Sequence, residues 1–320
     1  MTPSIDRDAW PALPLDGWRD SYATLHLYSQ IVGKTRLALA PMENHWWQVA
    51  LYPTSRGLTT SPMPYGRRVV QVDFDFIDHQ LLARTSDGGS ASLALVSRSV
   101  ADFYAEYVRL LEGLGVAVKI WPMPVELPEV IPFARDREHA SYDPDAVNRF
   151  WRVLVQSDRV MREFRGRFIG KASPVHFFWG SFDLAATRFS GRVAPPHPGG
   201  APHVGDWVMR EAYSHELSSA GFWPGGGEVD EPAYYSYAYP EPPGYADALV
   251  EPEDAYYNRT LREFVLPYES VRSAPSPEEK LMTFLESSYE AAANLGRWDR
   301  SALERAPDES HVRVKKEVDG

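Results

Sequence analysis

The sequence contains no cysteine, which excludes a disulfide scaffold, thiolate metal sites and a cysteine nucleophile. No uninterrupted apolar run approaches the roughly 18 residues that a membrane-spanning helix needs. Residues 1–16 carry Asp6, Arg7 and Asp8 and lack an apolar core of signal-peptide length. Basic residues are in deficit, 33 Lys and Arg against 44 Asp and Glu, so the chain as a whole repels a phosphate backbone and nucleic acid is not an expected partner. There is no Gly-x-x-x-x-Gly-Lys-Ser/Thr run, and the glycine clusters at 88–89 and 225–227 do not precede helices, so nucleotide cofactors are not supported. Ser181 and Ser190 lack a nucleophile-elbow context. These absences lead to the expectation of a soluble, cytoplasmic protein with no membrane partner. The oligomeric state is left open.

What is present is globular. Of 320 residues, 44% are apolar and 13% aromatic, including 10 Trp, 17 Tyr and 14 Phe, ample material for a core. The charges are unevenly placed. Residues 201–254 hold eleven acids against one base, Arg210, whereas Arg149, Arg152, Arg159, Arg162, Arg165, Arg167 and Lys171 follow one another in the next-to-central region. The arginine run is read as a solvated helix face, or one pairing with the chain's own acids.

Periodicity predicts a helix over 17–31, a strand over 44–52, and a half-buried strand where Val70, Val72, Phe74 and Phe76 alternate with Gln71, Asp73 and Asp75. A hairpin turn at Asp87-Gly88-Gly89 joins 81–84 to 91–96. Ser99 and Asp102 open a helix that Gly115 closes, and 116–121 suits a strand. The second half predicts a helix over 145–168, strands over 176–186, 208–217 and 234–239, and a helix from Ser276-Pro277 to Gly296.

The order of elements repeats, and so do residues. Ile31-Val32-Gly33-Lys34 matches Phe168-Ile169-Gly170-Lys171. Trp47 precedes Arg56 by nine, as Trp179 precedes Arg188; His45 and His176 stand before these pairs. Asp75 and His79, and Glu211 and His215, are both four apart. The expected fold is therefore α+β: two repeated α-β(4–5)-α modules with antiparallel sheets, related by a pseudo-twofold axis. The divisions are an extended segment 1–16, a first module 17–121, a linker 122–143, a second module 144–304 and a polar, frayed tail 305–320.

Several longer motifs carry a family resemblance: Trp10-Pro11-Ala12-Leu13-Pro14, Gln30-Ile31-Val32-Gly33-Lys34, Ser173-Pro174-Val175-His176-Phe177-Phe178-Trp179-Gly180-Ser181-Phe182-Asp183, Thr187-Arg188-Phe189-Ser190-Gly191, Glu211-Ala212-Tyr213-Ser214-His215-Glu216 and Tyr237-Ala238-Tyr239-Pro240. Through them the chain resembles an uncharacterised bacterial family known only as a domain of unknown function, family 5996, over nearly all of residues 10–300. That family often has Trp where this chain has Tyr28. The resemblance implies no activity and no catalytic residues.

Candidate chemistry concentrates in the second half. If 208–217 is a strand, Glu211, Tyr213 and His215 share a face, and a histidine with a carboxylate partner suits proton transfer near neutral pH. The alternative is a polar strand end repeated with the fold. His176, Trp179, Asp183 and Arg188 lie in an aromatic segment, where an arginine beside aromatic walls suits a carboxylate or phosphate on a small ligand. The alternative there is an arginine stacked on aromatics and paired with an acid inside the fold. His197 and His203, with His176 and His215, invite a metal hypothesis, but no recognised ligand spacing occurs. The strand 234–239 offers tyrosine hydroxyls, Tyr239 among them, on both faces.

The leading expectation is a small-molecule binder or enzyme with a pocket between the modules. It assigns His176, Glu211 and His215 to catalysis and Trp179, Asp183, Arg188, Tyr213 and Tyr239 to ligand binding, with no cofactor-binding or metal residue named. Residues serving only a site should tolerate alanine with little loss of stability. The rival is a non-catalytic interaction protein that docks a basic partner on the acidic stretch 201–254. A His/Glu metalloenzyme is third.

Overall fold

The alternation over 70–76 produces one half-buried strand within an antiparallel sheet, as its period of two requires. The computed structural model describes residues 9–306. Its first half consists of α1 (Arg19–Leu39), β1 (Tyr52–Pro53), β2 (Gly57–Thr59), β3 (Met63–Tyr65), β4 (Arg68–Asp75), β5 (Gln80–Thr85), β6 (Ser90–Ala94) and α2 (Val100–Gly113). The strands pair antiparallel in the order β1-β2-β4-β5-β6, and β3 pairs with β4 beside β2. The second half consists of α3 (Pro144–Gly166), β7 (His176–Phe178), β8 (Asp183–Val193), α4 (Asp206–Ala212), β9 (His215–Trp223), β10 (Ala233–Tyr239), β11 (Tyr256–Asn258), β12 (Glu263–Pro267), α5 (Tyr268–Arg272), α6 (Pro277–Leu295) and α7 (Arg300–Leu303). Its sheet runs β11-β12-β10-β9-β8-β7, again antiparallel. The fold is α+β, with helices and two antiparallel sheets of six strands each. Four or five strands per sheet were expected; the two- and three-residue strands are too short to show periodicity.

The sheets meet edge to edge. Leu51, next to β1, exchanges backbone hydrogen bonds of 2.8 and 2.7 Å with Phe177 of β7, so each covers an edge that would otherwise present unpaired groups. One hydrophobic cluster runs through both halves, from Leu25 and Val72 to Phe222 and Leu285. α3 and α6 pack on one face of the second sheet. α1 is buried along most of its length, including the polar residues His26, Gln30, Lys34 and Arg36. No helix among the described residues is long and apolar enough to cross a membrane.

Helix ends follow their local chemistry. Ser99 accepts the Asp102 N–H at 3.1 Å, and Asp143 caps α3 by accepting from Asp145 and Ala146. Pro277 occupies the first turn of α6, but the Ser276 side chain makes no cap bond.

Four segments differ from their periodicity. Residues 44–49 coil instead of extending, because His45 and Trp46 take φ values of 60° and 64°. That left-handed conformation is costly without glycine, and a distant contact accompanies it: His45 Nδ1 donates to the Ala212 carbonyl at 3.0 Å. Residues 116–121 form no helix or strand. The segment 176–186 splits into β7 and β8 at a turn where Phe182 has φ 62°. The expected strand 208–217 is instead α4 followed by β9, so Glu211 and His215 lie on different elements. Residues 1–8, and 307–320 of the expected tail, lie outside the described residues.

Candidate functional site

The second sheet has two chemically different faces, and register decides which residues share one. Ala185, Gly221, Tyr235 and Val265 are cross-strand partners, as are Thr187, Ser219 and Tyr237. By alternation, Asp183 on β8, Tyr235 and Tyr237 on β10 and Glu263 on β12 point to that same face. Leu184, Phe222, Tyr234 and Leu266 point to the other, into the core beneath α3 and α6. The polar face forms the floor of a cavity of about 940 Å³. Tyr22 and His26 of α1, Glu126 of the connecting segment and Tyr213 after α4 complete its walls.

Each carboxyl group is placed by a specific device. Asp183 accepts hydrogen bonds from the Ser181 and Tyr235 hydroxyls. Tyr235 reaches it across Gly221, where a Cβ would overlap both the Tyr235 hydroxyl and the Leu184 carbonyl. Glu126 sits on a backbone clamped by α1: the Gln30 amide donates to the Val125 carbonyl and accepts from the Val125 N–H, both at 2.9 Å. Its side chain rests on Gly180, where any Cβ would overlap the carboxylate. His26 holds that glycine by donating Nε2–H to its carbonyl at 2.8 Å.

The three acids differ in solvent contact: Asp183 is buried, Glu263 half-buried and Glu126 exposed to the cavity. Desolvation by the protein packed around the cavity, reinforced by the Asp183 charge, pushes Glu126 up to about 7 and Glu263 up to about 8. Burial also raises Asp183, opposed by its two hydroxyl donors. Burial lowers His26 to about 4, so its ring is neutral at physiological pH. None of the three acids forms an ion pair within 4 Å among the described residues, whereas Glu241 at the rim is paired with Arg262 at 3.1 Å. The walls are phenolic. The Tyr213 and Tyr237 hydroxyls are 2.8 Å apart, and the His197 ring lies 4.5 Å from Tyr213 and 5.0 Å from Tyr239. Such a space combines proton donors and acceptors with aromatic faces. Among the described residues, no three His, Asp or Glu are grouped to hold a metal ion.

Of the residues singled out from the sequence, Asp183, His197, Tyr213 and Tyr239 line this cavity. Trp179 lies in the next one, donating its indole N–H to the Val49 carbonyl at 2.7 Å. His176 is fully buried against Trp47, Tyr52 and Phe178, neither ring nitrogen has a protein partner among the described residues, and burial lowers it to about 3. Arg188 points to the core face. Its guanidinium lies 3.4 Å from the Phe164 ring centroid and 4.3 Å from that of Tyr289, donates to the Phe164 carbonyl and pairs with Glu286 at 3.5 Å. His215 meets His45 at 5.6 Å between ring centroids, while Glu211 sits on α4. Glu126 and Glu263 carry the site without having been singled out. The period-two tyrosines of β10 were the visible sign of its floor; Glu126 and Glu263 had none.

No curated protein and no solved structure matches the chain. A family model described as "Family of unknown function (DUF5996)" matches residues 10–305, and the chain belongs to that family.

Proposed function

We propose that the chain binds a small organic cation, an amine or guanidine, in the cavity floored by Asp183, Tyr235, Tyr237 and Glu263. The carrying observation is that a buried Asp183, a half-buried Glu263 and a Glu126 exposed to the cavity converge there, with no cationic side chain paired to any of them among the described residues. A bound cation offsets the cost of ionising them, and tyrosine faces add cation–π attraction. Glu126 and Glu263, raised to about 7 and about 8, suit proton transfer on such a ligand. The setting we propose is cytoplasmic.

The rival reading, a basic partner docked on the acidic segment, draws less support. Asp230, Glu216, Glu241 and Asp254 already pair with Arg19, Arg192, Arg262 and Lys280. A duplicated origin of the two halves has its own support: Lys34 Nζ lies 5.5 Å from the Trp179 ring centroid, and Lys171 Nζ lies 5.6 Å from that of Trp47. Each lysine of the repeated Gly-Lys pair thus faces the tryptophan of the opposite half.

Titration calorimetry with butylguanidine, set against neutral butylurea and anionic pentanoate, tests the binding reading. Only the guanidine should bind, more tightly at pH 9 than at pH 6, and Glu263→Gln should weaken it at least tenfold. Equal binding of butylurea would refute the proposal.

A further inference from the structure

A second cavity of about 510 Å³ adjoins the first, with Glu126 and Gly180 in the wall common to both. Its lining is mostly apolar, with the four tryptophans Trp46, Trp121, Trp179 and Trp207, and one buried amine, Lys34. Lys34 sits on α1 with 3% exposure. Its Nζ lies 4.9 Å from the Trp121 ring centroid as well as 5.5 Å from that of Trp179. Gly33 makes this approach feasible, since a Cβ there would overlap the Trp179 ring. No carboxylate lies within 4 Å of the ammonium among the described residues.

We propose that Lys34 is a nucleophilic amine that forms an imine with an apolar aldehyde or ketone seated among these tryptophans. This goes beyond the cation-binding reading, because it concerns a different cavity and a neutral ligand. Burial lowers Lys34 to about 8, so about a tenth of it is free amine at neutral pH, on the order of a hundredfold more than for an ordinary lysine. Charge selects the ligand. Lys34 disfavours a cation, Glu126 in the same wall disfavours an anion, and the tryptophan walls favour an aromatic or aliphatic body.

The step balances without a co-reactant. The amine lone pair attacks the carbonyl carbon, the C–N bond forms, and the carbonyl π pair goes to oxygen, which takes up a proton. The carbinolamine then loses its oxygen as water, so that both amine hydrogens leave with it and an imine remains. Glu126, pushed up to about 7, is suited to deliver the proton that lets water depart.

Reductive trapping tests this on the full chain. The protein is incubated with 2-naphthaldehyde and sodium cyanoborohydride, and adducts are located by peptide mass spectrometry. Lys119 lines the same cavity but is exposed, which makes it an internal control. The expected result is labelling of Lys34 at least tenfold faster than Lys119, rising with pH to a midpoint near 8, and lost in Lys34→Arg. Labelling of Lys119 at an equal or greater rate, or none at Lys34, overturns the proposal whether or not the variant folds. Glu126→Gln should slow trapping severalfold; an unchanged rate overturns the role given to Glu126.

Discussion

The Tyr235 hydroxyl reaches the Asp183 carboxylate by passing directly over Gly221. β10 and β8 are not neighbours; β9 lies between them. Only a residue without a side chain on β9 leaves room for the tyrosine to cross. Gly221→Ala should therefore displace Tyr235, leave Asp183 short of a donor, and cost about 1–3 kcal/mol as an overpacked site. Gly113→Ala, where a Cβ meets nothing within 4 Å, serves as the control and should be neutral or stabilising by about 0.5–1 kcal/mol. Urea denaturation of both variants checks the pair.

Arg188 is held from three sides, by the Phe164 and Tyr289 rings, the Phe164 carbonyl and Glu286. Removing it leaves the half-buried Glu286 with Arg167 alone, at 3.5 Å. Arg188→Ala should cost about 2–3 kcal/mol, through lost packing on two rings and a lost charge-assisted bond to the Phe164 carbonyl, while butylguanidine affinity in any folded fraction stays unchanged. Denaturant melts and calorimetry separate the two effects. A melt within 1 kcal/mol of wild type would contradict this structural role.

His176 has the opposite profile. Its two ring nitrogens are buried among aromatic neighbours, without protein partners among the described residues, so an apolar ring of similar shape removes a desolvation cost. His176→Phe should be neutral or stabilising by up to about 1 kcal/mol. Burial holds the folded His176 near 3, below its ordinary value of about 6.5. The unfolded chain then binds more protons between these values, and stability falls as pH drops through that window. His176→Phe should shrink this acid-side loss, although His26, lowered to about 4, keeps part of it. Melting temperatures from pH 4 to pH 7 give the comparison.

Legibility in the sequence followed the range of the interactions involved. The strand 70–76, the helix opened by Ser99 and the tyrosine strand are set by local alternation or capping, and the structure has all three. Strand parity even separates Asp183 from Arg188, which are five residues apart on β8 and so face opposite sides of it. The left-handed turn at His45 accompanies a bond to residue 212, and no local pattern announces it. α4 replaced a strand because Gly205 and Asp206 begin a short helix, while the buried strand pattern starts only at Leu217. Glu126 and Glu263 were invisible for a related reason. One lies in a proline-containing connection and the other opens a five-residue strand, and only the packing of α1 and the register of β12 bring them together.

The raised carboxyls make stability depend on pH in a definite direction. In the unfolded chain Glu126 and Glu263 titrate near an ordinary glutamate value of about 4.3, whereas in the folded chain they titrate near 7 and 8. Between these limits the folded state binds more protons, so stability is fully present below the unfolded value and declines as pH rises to about 8. The melting temperature should fall from pH 5 to pH 9. Glu126→Gln and Glu263→Gln should each flatten the fall, because an amide carries no charge to desolvate. A guanidinium ligand stays charged throughout and should restore the melting temperature most at pH 9, where it meets ionised carboxyls. A wild-type profile that is flat or rising across this range would show that these two acids are solvated and ionised, and would remove the basis for a cation site.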